Sequence, residues 1–137
     1  MIRPAMPGDE DAMGRILSAW IDETPWMPRL HTVEEDLAFC KSLIPHTFIA
    51  GEREGFMAVK GGSIDQLQIA AAARGQGLGR ALVDYAKTLS GRLDCWTFQS
   101  NAPARAFWWR MGFAPIGGTD GDNEEGLPDI HLEWRRP

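Results

Sequence analysis

At residues 74 to 87 the chain reads RGQGLGRALVDYAK. Glycines at every second position, 75, 77 and 79, stand between an extended run, SIDQLQIAA, and a helical stripe of Leu78, Ala81, Leu82, Tyr85, Ala86 and Leu89. Glycine at that density spoils the interior of any regular element, so the chain must turn tightly here and enter a helix at once. Glycines admit positive φ and close ligand approach, so successive amides of such a turn can point at one anion. The helix start adds free N–H groups and positive potential. Arg74 and Arg80 flank the turn and can add charged contacts. A cradle for a phosphate-bearing cofactor is one reading; a structural turn with two solvated arginines is the other. Neither familiar phosphate fingerprint applies: dinucleotide-binding folds place their glycines after the first strand, and nucleoside-triphosphate loops follow the last glycine with Lys-Ser or Lys-Thr, where this chain has Arg80.

The elements around the turn fix the fold class. A short strand fits IRPAM, and Met13, Ile16, Leu17, Trp20 and Ile21 recur at helical spacing over about 10 to 23. Asp9, Glu10 and Asp11 stand at the positive end of that helix. ETPWMPRLH, with two prolines, predicts a shaped loop. Thr32 followed by Glu35 is a capping box for a second helix that ends before Pro45, with Val33, Leu37, Cys40 and Ile44 on one face. HTFIAGE, GFMAVKG and SIDQLQIAA predict three strands, the first two a hairpin across EREG. After the glycine turn and its helix come a strand at LDCWTF and a short helix at NAPARAFWWRMG. Asn101 caps that helix, and Gly112 takes its left-handed stop. FAPIGG and DIHLEW complete the set as two strands joined by the acidic loop TDGDNEEGLP. The order β-α-α-β-β-β-α-β-α-β-β predicts a layered α/β domain with a mixed sheet. At 137 residues the chain holds one core, so one domain over 1–137 is expected.

Composition narrows the partners. A formal charge of −5 argues against nucleic-acid binding through the general surface. No apolar run reaches the ~18 residues of a membrane span, and MIRPAMPGDEDAM lacks the layout of a signal peptide, so a cytoplasmic protein without membrane contact is expected. The two cysteines, Cys40 and Cys95, have no metal-ligand spacing and read as buried thiols, with no metal expected. Six tryptophans are many for this length and suit a ligand pocket or a homodimer interface.

RGQGLG at 74–79, the strand before it and NAPARAFWWRMGF after it resemble the GNAT superfamily of acyl-CoA-dependent N-acetyltransferases. The resemblance runs over nearly the whole chain and is loosest in the first fifty residues. It implies a central sheet splayed between the fourth strand and its neighbour, and acetyl-CoA as the acyl donor. By this resemblance the backbone of Leu67, Ile69 and Ala71 would hold the pantetheine arm. The amides of Gln76, Gly77, Leu78, Gly79 and Arg80, with Arg74 beside them, would meet the diphosphate. Asn101 would touch the arm or merely cap its helix, and Phe107 would line the arm or fill the core. A net acidic chain can bind this anion because backbone groups carry the contacts.

The implied reaction moves an acetyl group to a primary amine by direct transfer, and it sets separate physical demands. The oxyanion needs a pre-aimed donor, for which the resemblance offers the Ile69 N–H. A base must keep the amine neutral, and Asp65, on the strand entering the turn, is the candidate. Simple alternation puts Asp65, Leu67 and Ile69 on one strand face and Ile64, Gln66 and Gln68 on the other. His31 and Glu23 flank the loop that would border the acceptor, where Trp26 and Met27 can form an apolar wall. Asp122, Glu124 and Glu125 would draw in a cationic amine if their loop faces the cleft; otherwise they form a solvated turn. Many family members carry a tyrosine where this chain has Trp108, and an indole N–H donates hydrogen bonds but no usable proton near neutral pH. That departure keeps a second function open, a noncatalytic acyl-CoA-binding regulatory or interaction module. The acceptor, whether small molecule or protein, is not specified by the sequence.

Overall fold

A computed structural model describes residues 1–137. The strands are β1 (Ile2–Pro4), β2 (Thr47–Ala50), β3 (Gly55–Lys60), β4 (Ser63–Ile69), β5 (Arg92–Phe98), β6 (Ala114–Thr119) and β7 (Asp129–Arg135). The helices are α1 (Glu10–Glu23), α2 (Val33–Leu43), α3 (Leu78–Leu89) and α4 (Ala102–Arg110). Short 3-10 turns at Ile44–His46 and Ala71–Ala73 complete the path, and the element order is the one the sequence predicts.

All seven strands form one sheet in the order β1-β2-β3-β4-β5-β7-β6. Every neighbouring pair is antiparallel except β4 and β5, which run parallel and pair only at Ser63 with Asp94 and Ile64 with Cys95. Beyond that vertex the two strands share no ladder pair, so the sheet is split from Asp65 to Ile69.

Each face of the sheet carries its own core. Leu82, Val83 and Ala86 of α3, Trp108 of α4 and Met111 just after it pack on Met57, Ile64, Leu93, Cys95 and Leu132. On the opposite face Met13, Ile16 and Leu17 of α1 and Cys40 and Leu43 of α2 pack on Ile49, Phe56 and Ala58. Strand alternation makes this division: Phe56 and Met57 are adjacent, both fully buried, and belong to different cores. Each such large side chain contributes roughly 1.5–3 kcal/mol of burial.

Two local expectations change, and Asp9, at the start of α1 as expected, gains partners from distant segments. Asp9 precedes α1 without capping it; its inaccessible carboxylate instead takes Arg3 at 2.8 and 3.0 Å, Arg53 at 2.8 Å and the Met6 N–H at 2.9 Å. The capping box of α2 forms as expected, but its inner face is Asp36, Cys40 and Leu43, with Val33 and Leu37 exposed. Asp36 faces inward because Arg29 meets it at 2.9 Å. Along β4, Ala58 stands opposite Gln66 and Val59 opposite Ile64, which leaves Asp65 as an extra, unpaired residue. This bulge resets the alternation, so Ile64, Leu67 and Ile69 all face the α3 core, in place of the Asp65, Leu67 and Ile69 set expected from a regular strand.

Candidate active site

The split in the sheet opens into a cleft of about 1590 Å³ that runs from the glycine turn, past the free edge of β4, to the loop between α1 and α2. The Ala70 N–H bonds to the Glu54 carbonyl on the β3 side at 2.8 Å. Antiparallel alternation then turns Gln66 and Gln68 toward β3, and the N–H and C=O groups of Leu67 and Ile69 toward the gap. β4 thus presents an edge without a strand partner inside the cleft, with only its last carbonyl, that of Ile69, taken by a side chain. Ala71, expected to continue that edge, lies past the end of the strand; its carbonyl accepts the Arg74 N–H at 3.4 Å within the 3-10 turn, and it does not line the cleft.

Next to that edge, Gly75 and Gly77 adopt positive φ of 75° and 84°, with open space where a Cβ would stand. α3 starts at Leu78, and none of the amides of Gln76, Gly77, Leu78, Gly79 and Arg80 bonds to a protein acceptor. Five free N–H groups at the start of a helix, reached without obstruction past two glycines, suit the diphosphate of acetyl-CoA. Gly79 differs from these two: its backbone is not left-handed, and a Cβ there would stand in ordinary contact, 3.4 Å from the Phe107 ring. Phe107 itself lines the cleft while packing edge-to-face on Trp108, with ring centroids 5.1 Å apart. Asn101 caps α4 by accepting the Ala104 N–H at 3.1 Å, which leaves its amide nitrogen without a protein acceptor beside the cleft. Arg80 is exposed, with only a 3.8 Å contact to Asp84. Arg74 is engaged elsewhere: its Nε donates to the Ile69 carbonyl at 3.1 Å and its Nη2 meets Glu23 at 2.6 Å.

The far end of the cleft is aromatic and acidic. Trp20, Trp26 and Phe98 form an edge-to-face row with centroid spacings of 6.0 and 5.8 Å. Glu23, Glu35, Asp36, Asp65, Glu124 and Glu125 also line it, so two of the three acidic-loop carboxylates face the cleft, while Asp122 lines a separate small pocket beside Asn123 and Asp129. His31 bridges to Glu124 at 2.5 Å and so links the α1–α2 loop to the β6–β7 loop. Asp65 is half-exposed, with His46 4.0 Å away. Trp108 is buried in the α4 core against Phe113, and no tyrosine lines the cleft; Tyr85 packs on Phe48 at 4.8 Å. Burial first, and a nearby aspartate second, push the thiols of Cys40 and Cys95 up to about 12, so neither is a ready nucleophile. No three His, Cys, Asp or Glu side chains group to hold a metal ion, and no helix is long and apolar enough to cross a membrane.

Two groups of residues escaped the sequence reading. Arg29 donates to Asp22 at 2.8 Å, to Asp36, to the Ser18 hydroxyl at 2.7 Å and to the carbonyls of Ser18 and His31, which fastens the α1–α2 loop to both helices. The one available signal was a single arginine in a loop between two acid-bearing helices. Ser63, Asp94 and His131 form a hydrogen-bonded chain across three strands, which no local spacing reveals.

Comparison with known proteins agrees with this geometry. The acetyltransferase (GNAT) domain family matches over residues 44–115, more than half of the chain, and the chain belongs to that family. Peptidyl-lysine N-acetyltransferase YjaB of Salmonella typhimurium is 38% identical over 72 residues, 53% of this chain; the match spans only half of that protein's length. Apo-form YjaB from Escherichia coli has the same fold, with a TM-score of 0.82 at 24% identity over 100% of this chain and 98% of that one. Ribosomal-protein-alanine N-acetyltransferase from Brucella melitensis superposes with a TM-score of 0.75 at 19% identity, over 98% of this chain and 99% of that one.

Proposed function

We propose that this acetyltransferase domain moves the acetyl group of acetyl-CoA to a primary amine on a cationic acceptor, a lysine side chain of a protein being the favoured case. The observation that carries the proposal is the polarity of one cleft: free amides and Arg80 at the glycine-turn end, carboxylates and tryptophans at the other. Opposite charge at the two ends suits an anionic donor and a cationic acceptor meeting over the free edge of β4. The name of the YjaB relative, a peptidyl-lysine N-acetyltransferase, supports the choice of acceptor.

Bound acetyl-CoA supplies an acyl carbon open to attack by a neutral amine. The chain's own contribution is electrostatic and positional. The Ile69 N–H, on the free strand edge, is a fixed donor for charge developing on the acyl oxygen. Asp65, held out of the regular ladder by the bulge, accepts the proton that the ammonium gives up, directly or through water. With no tyrosine at the cleft, the departing thiolate takes its proton from water, which a thiol pKa of about 8.5 permits.

That missing tyrosine also favours the second reading, a noncatalytic acyl-CoA-binding module. A thiol-release assay with acetyl-CoA and a panel of lysine peptides, diamines and amino acids separates the two. Turnover with lysine peptides is expected. Calorimetric binding of acetyl-CoA without turnover on any amine would select the binding module, and absence of binding at millimolar ligand would remove both.

A further inference from the structure

We propose that Arg74 is a positioning residue that straps the acceptor side of the cleft to the catalytic end of β4, and is not a ligand of the diphosphate. This inference rests on the acetyl-transfer reading and assigns a role within it. Arg74 opens the glycine turn, yet its side chain turns back from it. Nε donates to the Ile69 carbonyl at 3.1 Å, and Nη2 meets Glu23 Oε1 at 2.6 Å. Ile69 is the last residue of β4, and Glu23 is the last residue of α1, where the acceptor loop begins. One guanidinium therefore touches the strand end and the acceptor loop, from a backbone position in the cofactor turn.

The direction of the Ile69 carbonyl gives this contact its meaning. Alternation along β4 turns that carbonyl into the gap, where no strand partner exists to hold it. Arg74 satisfies it, which fixes the last peptide of the strand and with it the aim of the neighbouring Ile69 N–H. A planar guanidinium can donate along two edges at once, whereas an ammonium is a point charge on a flexible stem, so lysine would not reproduce both contacts in one geometry. Both partners are partly exposed, so the strap adds little to global stability; its effect falls on local order and on the reaction. Arg80, exposed and held only by a 3.8 Å contact with Asp84, remains as the turn's cation available to the phosphates.

The test compares Arg74→Ala, Glu23→Gln and the double variant in the intact protein by hydrogen exchange and by kinetics. In the free protein, each single change is expected to speed amide exchange about tenfold in both 20–27 and 69–74, and the double change to do no more than either, as contacting residues do when they act as a unit. With acetyl-CoA, affinity is expected to stay within about twofold while kcat/KM for the acceptor falls about tenfold in each variant and no further in the double, since misplacement by a fraction of an ångström costs rate more than binding. Additive effects, or exchange that changes only beside the substituted residue, would overturn the strap. So would tenfold weaker acetyl-CoA binding in Arg74→Ala with Glu23→Gln unaffected, because that is the behaviour of a phosphate ligand. Should the unaltered protein fail to bind acetyl-CoA, the acetyl-transfer reading falls, and the exchange comparison still decides whether the strap exists.

Discussion

Ser63 donates its hydroxyl to Asp94 across 2.6 Å at the vertex where β4 and β5 meet, and the other oxygen of Asp94 lies 2.6 Å from His131 Nε2 on β7. Burial pushes the Asp94 carboxyl up, but the Ser63 hydroxyl, the His131 imidazole and the Arg92 guanidinium outweigh it, so the group is held below the usual carboxylate range. A depressed carboxyl contributes stability above its unfolded pKa of about 4 and loses it as pH falls through the folded value. Ser63→Ala should therefore cost about 1 kcal/mol at pH 7, and less at low pH as Asp94 protonates. Urea unfolding at the two pH values checks this; an equal loss at both would show that the charge on Asp94 is irrelevant to the vertex.

Asp9 should dominate acid sensitivity at the other end of the sheet. The Arg3 guanidinium is the main cause holding its carboxyl far below the ordinary range, helped against burial by the Met6 amide and Arg53. The same sign holds: the contribution is complete above about pH 4 and declines as acid reaches the depressed folded value. Asp9→Asn is expected to cost about 2–3 kcal/mol at neutral pH, since two arginines lose a charged acceptor. Thermal unfolding of the variant should also show a flatter profile below pH 4 than that of the unaltered protein.

Gly77→Ala tests the cradle. A Cβ at Gly77 meets nothing within 4 Å, so the substitution acts only through the left-handed backbone at φ 84°, at about 1–2 kcal/mol. Relief of that strain would swing the amides of the turn away from one another. The expected result is acetyl-CoA affinity reduced about tenfold by calorimetry, the equivalent of 1.4 kcal/mol. Unchanged affinity would mean that the turn does not carry the diphosphate.

For Asp65→Asn the expectation is a fall in kcat of about 10²-fold or more with acetyl-CoA affinity intact, together with loss of the lower limb of the pH–rate profile. A fall in affinity with an unaltered profile would remove Asp65 as the base and leave it as a feature of the bulge.

Trp26 stands between Trp20 and Phe98, and each edge-to-face contact is worth about 0.5–1.5 kcal/mol. Trp26→Ala should raise KM for a lysine peptide about tenfold while leaving acetyl-CoA binding unchanged, provided that the aromatic row borders the acceptor. Equal weakening of both ligands would assign the row to loop packing alone.

Much of the fold was legible because its signals are local. The Thr32–Glu35 box, Asn101 before α4, the positive-φ Gly112 after it and the glycine turn into α3 each occupy the positions that residue type and spacing predict. The ends of β4 were less legible. Nothing in SIDQLQI marks Asp65 as a bulge, because the cause lies in how β3 pairs with it. Nor could spacing reveal that Arg74 reaches Glu23, 51 positions away in the chain from one residue to the other, or that the acidic loop reaches His31.

By itself, then, the sequence determined the order of elements, the place of the glycine turn and its left-handed backbone, since these depend on φ preferences and on neighbours three or four residues apart. Tertiary structure alone decided which strand edge is left unpaired, which arginine remains free and which carboxylates meet in the cleft. Those outcomes depend on contacts between distant segments, where burial and hydrogen-bond satisfaction across the whole sheet override any local rule.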